Sequence, residues 1–318
     1  CDFPFIKIEV DGEGLPIQTI CWDTSDNIKW NEDYTSLFLV NNSVQPFTGK
    51  SKCYYSNGEL SDEVNFIDGK MQGKWIYWHE NGRIRSEENY RDGKLIDKVT
   101  SWYENGQIRK ETNYKDNKEN GKSTEWFENG RKNSEENYRD GKLNGSSKSW
   151  KMNGNLIRDK NYKDGNPNGK WTFWHRNGQI EKIENYKDGE IHGNLTIWYA
   201  NGQIQSDGNY IDGKKDGKWI NWNQKGQITS EKHMKNGNII SETRYEYHYS
   251  NGSKKSVKNF NNNGKKHGKY TSWFKSGQTQ LDTNYKDGNE DGKYTLSFED
   301  GRVIERFYID GECITGDC

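Results

Sequence analysis

This chain is poor in the material of a conventional core: hydrophobic residues make up 29% of its 318 positions, against roughly 45–50% in average globular domains. A thick, aliphatic interior is therefore excluded. Proline is scarce as well, and three of the four prolines, Pro4, Pro16 and Pro46, precede residue 50. That shift sets residues 1–48 apart as a non-repeating N-terminal cap and anchor segment, with residues 49–318 as a second region. No apolar run approaches the ~18–20 residues of a membrane-spanning helix. Neither charge dominates, with 47 Lys plus Arg against 48 Asp plus Glu. Nucleic acid, which demands clustered cations, is not an expected partner.

Catalytic signatures are missing too. There is no Gly-x-Ser-x-Gly, no Walker loop and no dinucleotide fingerprint. The six histidines, His79, His175, His192, His233, His248 and His267, lie in separate stretches without metal-site spacing and read as solvated surface residues. The acidic turn Asp287-Gly288-Asn289-Glu290-Asp291-Gly292 lacks the twelve-position pattern of a calcium loop. No catalytic residue, metal or cofactor is expected, and the chain reads as a non-enzyme.

What it has in abundance is ring and glycine: 13 Trp, 19 Tyr, 11 Phe and 34 Gly. So many aromatics exclude a chain that stays unfolded. The glycines fall on a period. Gly58, Gly82, Gly106, Gly130, Gly154, Gly178, Gly202 and Gly226 recur every 24 residues, followed by Gly252, Gly277 and Gly301 after a short irregularity. About eleven units result.

One unit runs from Gly169-Lys170-Trp171-Thr172-Phe173-Trp174 through Asn177-Gly178 and Ile180 to Tyr186-Lys187-Asp188-Gly189. Two turn signals per unit leave room only for short strands, so each unit is a β-hairpin and the chain an antiparallel meander. The Asn-Gly turn reads as a type I turn on Arg176 and Asn177, with Gly178 as the left-handed residue of a bulge and His175 opposite Gln179. The same three-residue geometry is extended to the Lys-Asp-Gly turn. In that register Trp174, Ile180 and Tyr186 share one face, which makes a ladder of Trp78, Trp102, Trp126, Trp150, Trp174, Trp198, Trp222 and Trp273. The opposite face is solvated. The expected fold is all-β: an elongated, coiled single-layer antiparallel β-meander of about eleven 24-residue hairpin repeats.

The motif Gly-Lys-Trp-x-x-Trp-x-x-Asn-Gly-x-Ile followed by Tyr-Lys-Asp-Gly-Lys resembles the bacterial variant of the MORN repeat, from about residue 49 to 316. Such proteins include antitoxins of toxin–antitoxin pairs and envelope lipoproteins. The resemblance implies a binding or scaffold role. Two departures stand out: Asp116-Asn117 replaces Asp-Gly, and the stretch around Tyr245, Tyr247 and Tyr249 lacks the Gly-Lys-Trp opening, which marks it as an irregular unit and a candidate partner contact.

Cys1 is read as the lipid-bearing cysteine of a bacterial lipoprotein. The other four, Cys21, Cys53, Cys313 and Cys318, suit an oxidising compartment. Pairing Cys21 with Cys53 and Cys313 with Cys318 is the most economical of three arrangements. The leading expectation is a lipid-anchored interaction module of the outer membrane or cell surface that binds a protein partner. Two alternatives stay open: a cytoplasmic antitoxin that neutralises a toxin, and a carbohydrate-binding surface.

Overall fold

The computed structural model describes residues 5–10, 16–22, 28–30, 37–41, 43–46, 48–55, 57–248 and 250–316, with side chains from residue 46 onward. All regular structure among them is β. The chain forms two compact units, Cys1–Asn166 and Pro167–Cys318.

In the first unit, strand Phe5–Val10 pairs antiparallel with Pro16–Trp22. Pro16–Trp22 then pairs in parallel with Gly49–Tyr54, a departure from a purely antiparallel meander. Three short strands, Ile28–Trp30, Leu37–Asn41 and Ser43–Pro46, make a separate small sheet. From Gly49 the strands pair antiparallel with their sequence neighbours, through Leu60–Ile67, Gly73–Trp78, Ile84–Arg91, Lys94–Trp102, Ile108–Lys115, Lys118–Trp126, Lys132–Arg139, Lys142–Trp150 and Leu156–Lys163. The second unit repeats the pattern from Gly169–Trp174 to Glu312–Thr315.

The Asn-Gly turn has the expected bulged form. Gly178 N–H donates to the His175 carbonyl at 3.0 Å and His175 N–H donates to the Gln179 carbonyl at 2.8 Å. Gly178 carries φ 89 while Asn177 is not among the positive-φ residues, which is a type I turn closed by a left-handed glycine.

The second turn differs from expectation. Asp188 and Gly189 both have positive φ, at 50 and 94, and Lys187 lies directly opposite Glu190. That is a two-residue type I′ turn, whose twist matches the flanking strands. Asp116 and Asn117 adopt the same geometry at φ 50 and 64, since Asn tolerates the left-handed region.

A one-residue bulge follows the first turn in most units. Phe173 faces Lys182 while Trp174 faces Ile180, which leaves Glu181 unpaired. Slipping one residue inverts the alternation, and this overturns the expected single aromatic face. Trp174 and Ile180 do share a face, but Tyr186 lies on the other one, with Trp171. Ring centroids of Trp171 and Tyr186 are 4.5 Å apart, those of Trp75 and Tyr90 4.8 Å, and those of Tyr210 and Trp219 5.2 Å.

The core therefore rests on the first tryptophan of the motif. Trp75, Trp171 and Trp219 are buried. Around Trp75 gather Val64, Phe66, Met71, Tyr77 and Tyr90; around Trp219 gather Leu195, Met234, Ile191, Ile197, Tyr210 and Ile239. The indole N–H of Trp75 donates to the Asn65 carbonyl and that of Trp219 to the Asn209 carbonyl, each at 3.1 Å.

The opening glycine of the motif is a third special point. Gly73, Gly121, Gly145, Gly169, Gly193 and Gly217 all have positive φ, and between Ile183–Thr196 and Tyr186–Ile191 two residues of one strand face four of the next. The strand turns a corner there. The Asn two places before the second turn steadies it: Asn113, Asn137 and Asn185 donate to the carbonyls of Lys122, Ser146 and Asn194 at 2.7, 2.9 and 2.9 Å.

Candidate binding surface

The tryptophans of the expected ladder occupy one repeated place, the last residue of a strand before the Asn-Gly turn. Trp78, Trp102, Trp174, Trp198 and Trp222 face Ile84, Ile108, Ile180, Ile204 and Ile228. Trp126 faces Lys132, Trp150 faces Leu156 and Trp273 faces Thr279. All eight indoles are partly exposed. Three of the isoleucines beside them are more so, Ile108 at 37%, Ile180 at 37% and Ile204 at 38% exposed.

Unlike Trp75 and Trp219, these indoles make no hydrogen bond through their N–H groups to any described residue. No buried side-chain polar atom among the described residues lacks a partner, so the N–H groups of the ladder face solvent. Each step thus offers a flat ring and an unused donor, with an aliphatic side chain beside it where the partner is Ile or Leu.

The backbone under this row is fixed by side chains that sequence reasoning missed. Tyr55, Tyr103 and Tyr199 donate their hydroxyls to the carbonyls of Trp78, Trp126 and Trp222 at 2.6, 2.7 and 2.9 Å. His79, His175 and His248 use Nε2 in the same way on Trp102, Trp198 and Trp273 at 3.0, 2.8 and 3.0 Å. These three histidines are half-buried structural donors, which corrects their reading as solvated residues; a carbonyl acceptor requires the proton on Nε2. His192 and His267 instead face Asp212 and Asp287 through Nδ1 at 3.2 and 3.3 Å.

A second ladder joins the turns. Asn81, Asn105 and Asn201 donate to the carbonyls of Glu104, Glu128 and Gln224 at 3.0, 3.1 and 2.8 Å, while their own Oδ1 accepts the N–H two residues on. Asn suits the position because its short amide side chain accepts through Oδ1 while its NH2 group donates to the neighbouring unit. Its 24-residue recurrence was a usable signal.

On the face of the ladder, away from the buried tryptophans, lysines pair with carboxylates across strands: Lys74–Glu87 2.9 Å, Lys98–Glu111 2.7 Å, Lys122–Glu135 2.9 Å and Lys218–Glu231 3.2 Å. Lys132 and Lys122 hold the Glu135 carboxyl below its usual range. On the buried-tryptophan side, burial and the neighbouring Glu88 push the Tyr90 hydroxyl far up, and burial with Glu290 pushes Tyr285 up to about 12.

In the irregular unit, Asn238–Tyr247 is one uninterrupted ten-residue strand. Tyr245 lies under Lys254 at 5.6 Å, and the Tyr247 hydroxyl donates to the Ile228 carbonyl at 2.9 Å. Tyr249, Cys1 and Cys318 lie outside the described residues. The Cα atoms of Cys21 and Cys53 are direct partners across the parallel pair, and Cys313 faces Tyr308.

With this geometry in place, comparison with known proteins is informative on the repeat. The MORN repeat variant matches residues 47–68, 71–92, 98–116, 167–188, 191–212 and 266–287. These six hairpins are similar to that repeat. Each matched segment from residue 71 on ends at the second turn, so the repeat and the structural hairpin coincide. No curated protein matches the chain. Among solved structures, a TcdB2–TccC3–TEV crystal structure aligns with 96% of this chain and 18% of its own at 10% identity and TM-score 0.20. The Photorhabdus luminescens Tc holotoxin pore aligns with 97% of this chain and 19% of its own, at 12% identity and TM-score 0.18. The chain thus spans under a fifth of the length of each.

Proposed function

We propose that this protein is a non-enzymatic binding module that engages a protein partner through the Trp–Ile row of its MORN-variant hairpins. One observation carries this reading: half-exposed indoles with unused donors recur at one place in successive units, whereas the buried tryptophans have theirs satisfied. Cores hide such groups, and recognition surfaces present them.

We further place the protein outside the cytosol, at the cell envelope. The Cα register of Cys21 and Cys53 supports this, because adjacent strand positions bring two Cβ atoms within disulfide reach and such bonds persist in oxidising compartments. Cys313 with Cys318 is the second proposed pair.

The test is a photo-crosslinking amino acid placed at Ile204 in the cell of origin. A single protein adduct, recovered with envelope fractions and absent when the probe sits at Lys170 on the far end of a strand, is the expected result. Adducts with no protein, or only with cytosolic proteins, would overturn it.

A further inference from the structure

We infer that the row formed by Trp174, Trp198 and Trp222 with Ile180, Ile204 and Ile228 takes an extended, proline-rich segment in the polyproline II conformation. This rests on the proposed protein-binding role and names the class of partner.

The argument is one of period. Successive indoles are separated by two strands, which spaces them by about 9.6 Å. A polyproline II helix has three residues per turn and a rise of about 3.1 Å, so it presents the same side every ~9.3 Å. Such a segment, laid across the strands, sets one side chain per turn against each Trp–Ile step. Over the two intervals of this row the mismatch stays well below an ångström, on the order of 0.6 Å. An extended β-strand presents one side every ~6.8 Å and falls out of step at once.

Chemistry points the same way. A polyproline II backbone makes no internal hydrogen bonds and leaves its carbonyls open. The three indole N–H groups of this row have no acceptor among the described residues and face solvent. Proline is flat, apolar and unable to donate, so it fits a ring–aliphatic notch whose polar groups are donors. Ile180 and Ile204, at 37% and 38% exposed, supply the aliphatic wall. The row is also uniform here: three consecutive tryptophans each face isoleucine, whereas Trp126 faces Lys132.

The experiment uses the full chain and a synthetic decapeptide with proline at every third position, titrated by calorimetry and by tryptophan fluorescence. Saturable binding is expected. A peptide of equal composition with proline at every fourth position should bind at least about fivefold more weakly, the loss of one neutral hydrogen bond or equivalent contact. Trp198→Phe, which keeps a ring and removes the donor, should weaken binding by about the same factor. Trp198→Ala should weaken it further, with circular dichroism confirming native folding; if that variant fails to fold, Trp198→Phe and Ile204→Ser decide instead. Binding insensitive to proline spacing and to these variants would overturn the proposal, as would no binding by the peptide while a soluble β-linked glucan binds the same row. A protein crosslink at Ile204 without peptide binding would leave the protein-binding role standing and sink only the polyproline assignment.

Discussion

Residues 60–91 and residues 97–163 of the first unit share one backbone but are filled differently. In the first stretch the opening motif places Trp75 against Phe66, Tyr77 and Tyr90 at 5.3, 6.4 and 4.8 Å. In the second, the same position holds Val99, then Ser123, then Ser147, and Ser123 shares a 2.8 Å hydrogen bond with buried Thr112. The hairpin is nevertheless unchanged. Phe127 N–H to Arg131 O and Gly130 N–H to Phe127 O are both 2.8 Å, against 2.8 and 2.9 Å for the corresponding bonds of His79 and Gly82. The MORN repeat variant leaves residues 117–166 unmatched, so side-chain filling and backbone geometry have parted there. The turn hydrogen bonds and the Asn ladder are common to both stretches; the large ring is not.

The sharpest way to break this comparison is Trp75→Ala. It removes the largest ring of the Val64–Phe66–Trp75 cluster and its bond to the Asn65 carbonyl, and should cost about 3–5 kcal/mol. Hydrogen exchange should show the loss in residues 60–91 and leave residues 118–163 protected, since a repeat contacts mainly its neighbours. Equal loss along the whole unit would mean that the serine-filled hairpins depend on the distant cluster.

A second contrast appears in alkali. Burial raises the hydroxyls of Tyr77 and Tyr90 and, less strongly, that of Tyr114. A phenol whose folded pKa lies above its unfolded value of about 10 stabilises fully below that value. Stability is then lost as pH rises, because the unfolded chain releases protons that the folded one retains. Unfolding midpoints should fall above about pH 10. Phenolate absorbance should appear only with unfolding for Tyr90 and before it for Tyr114, as Tyr→Phe variants at each position would assign. Early ionisation of Tyr90 would contradict its burial.

How much of this was legible in sequence depends on which feature is asked for. The hairpin period and the bulged Asn-Gly turn follow from Gly178, whose left-handed conformation excludes most other residues. The Lys-Asp-Gly turn was ambiguous because Asp-Gly fits two- and three-residue turns alike. The bulge residue, Arg85, Arg109 or Glu181 from unit to unit, has no fixed chemistry to announce it, yet it decides on which face Tyr90 and Tyr186 fall. The buried role of Trp171 was missed for that reason. Trp174 was placed beside Ile180 because no bulge separates them. The roles of His175 and Asn177 needed the neighbouring unit, whose carbonyls lie 23 residues away; no local pattern shows which backbone group a side chain will reach.

The smallest expected effect sharpens the comparison most. Ser123→Ala removes the partner of the Thr112 hydroxyl in a buried pair and should cost about 1–3 kcal/mol. Pairing it with Thr112→Val separates two accounts of the serine-filled stretch. If the hydroxyl pair is the working core of that hairpin, either single change destabilises and the double change, with both polar groups gone, recovers much of the loss, because an apolar pair of similar shape leaves nothing unsatisfied. If instead the stretch is held by its turns alone, all three variants should unfold within a few tenths of a kcal/mol of one another in urea. The first outcome makes Ser123 and Thr112 the polar counterpart of Trp75; the second assigns the stability of residues 97–163 to the backbone ladders.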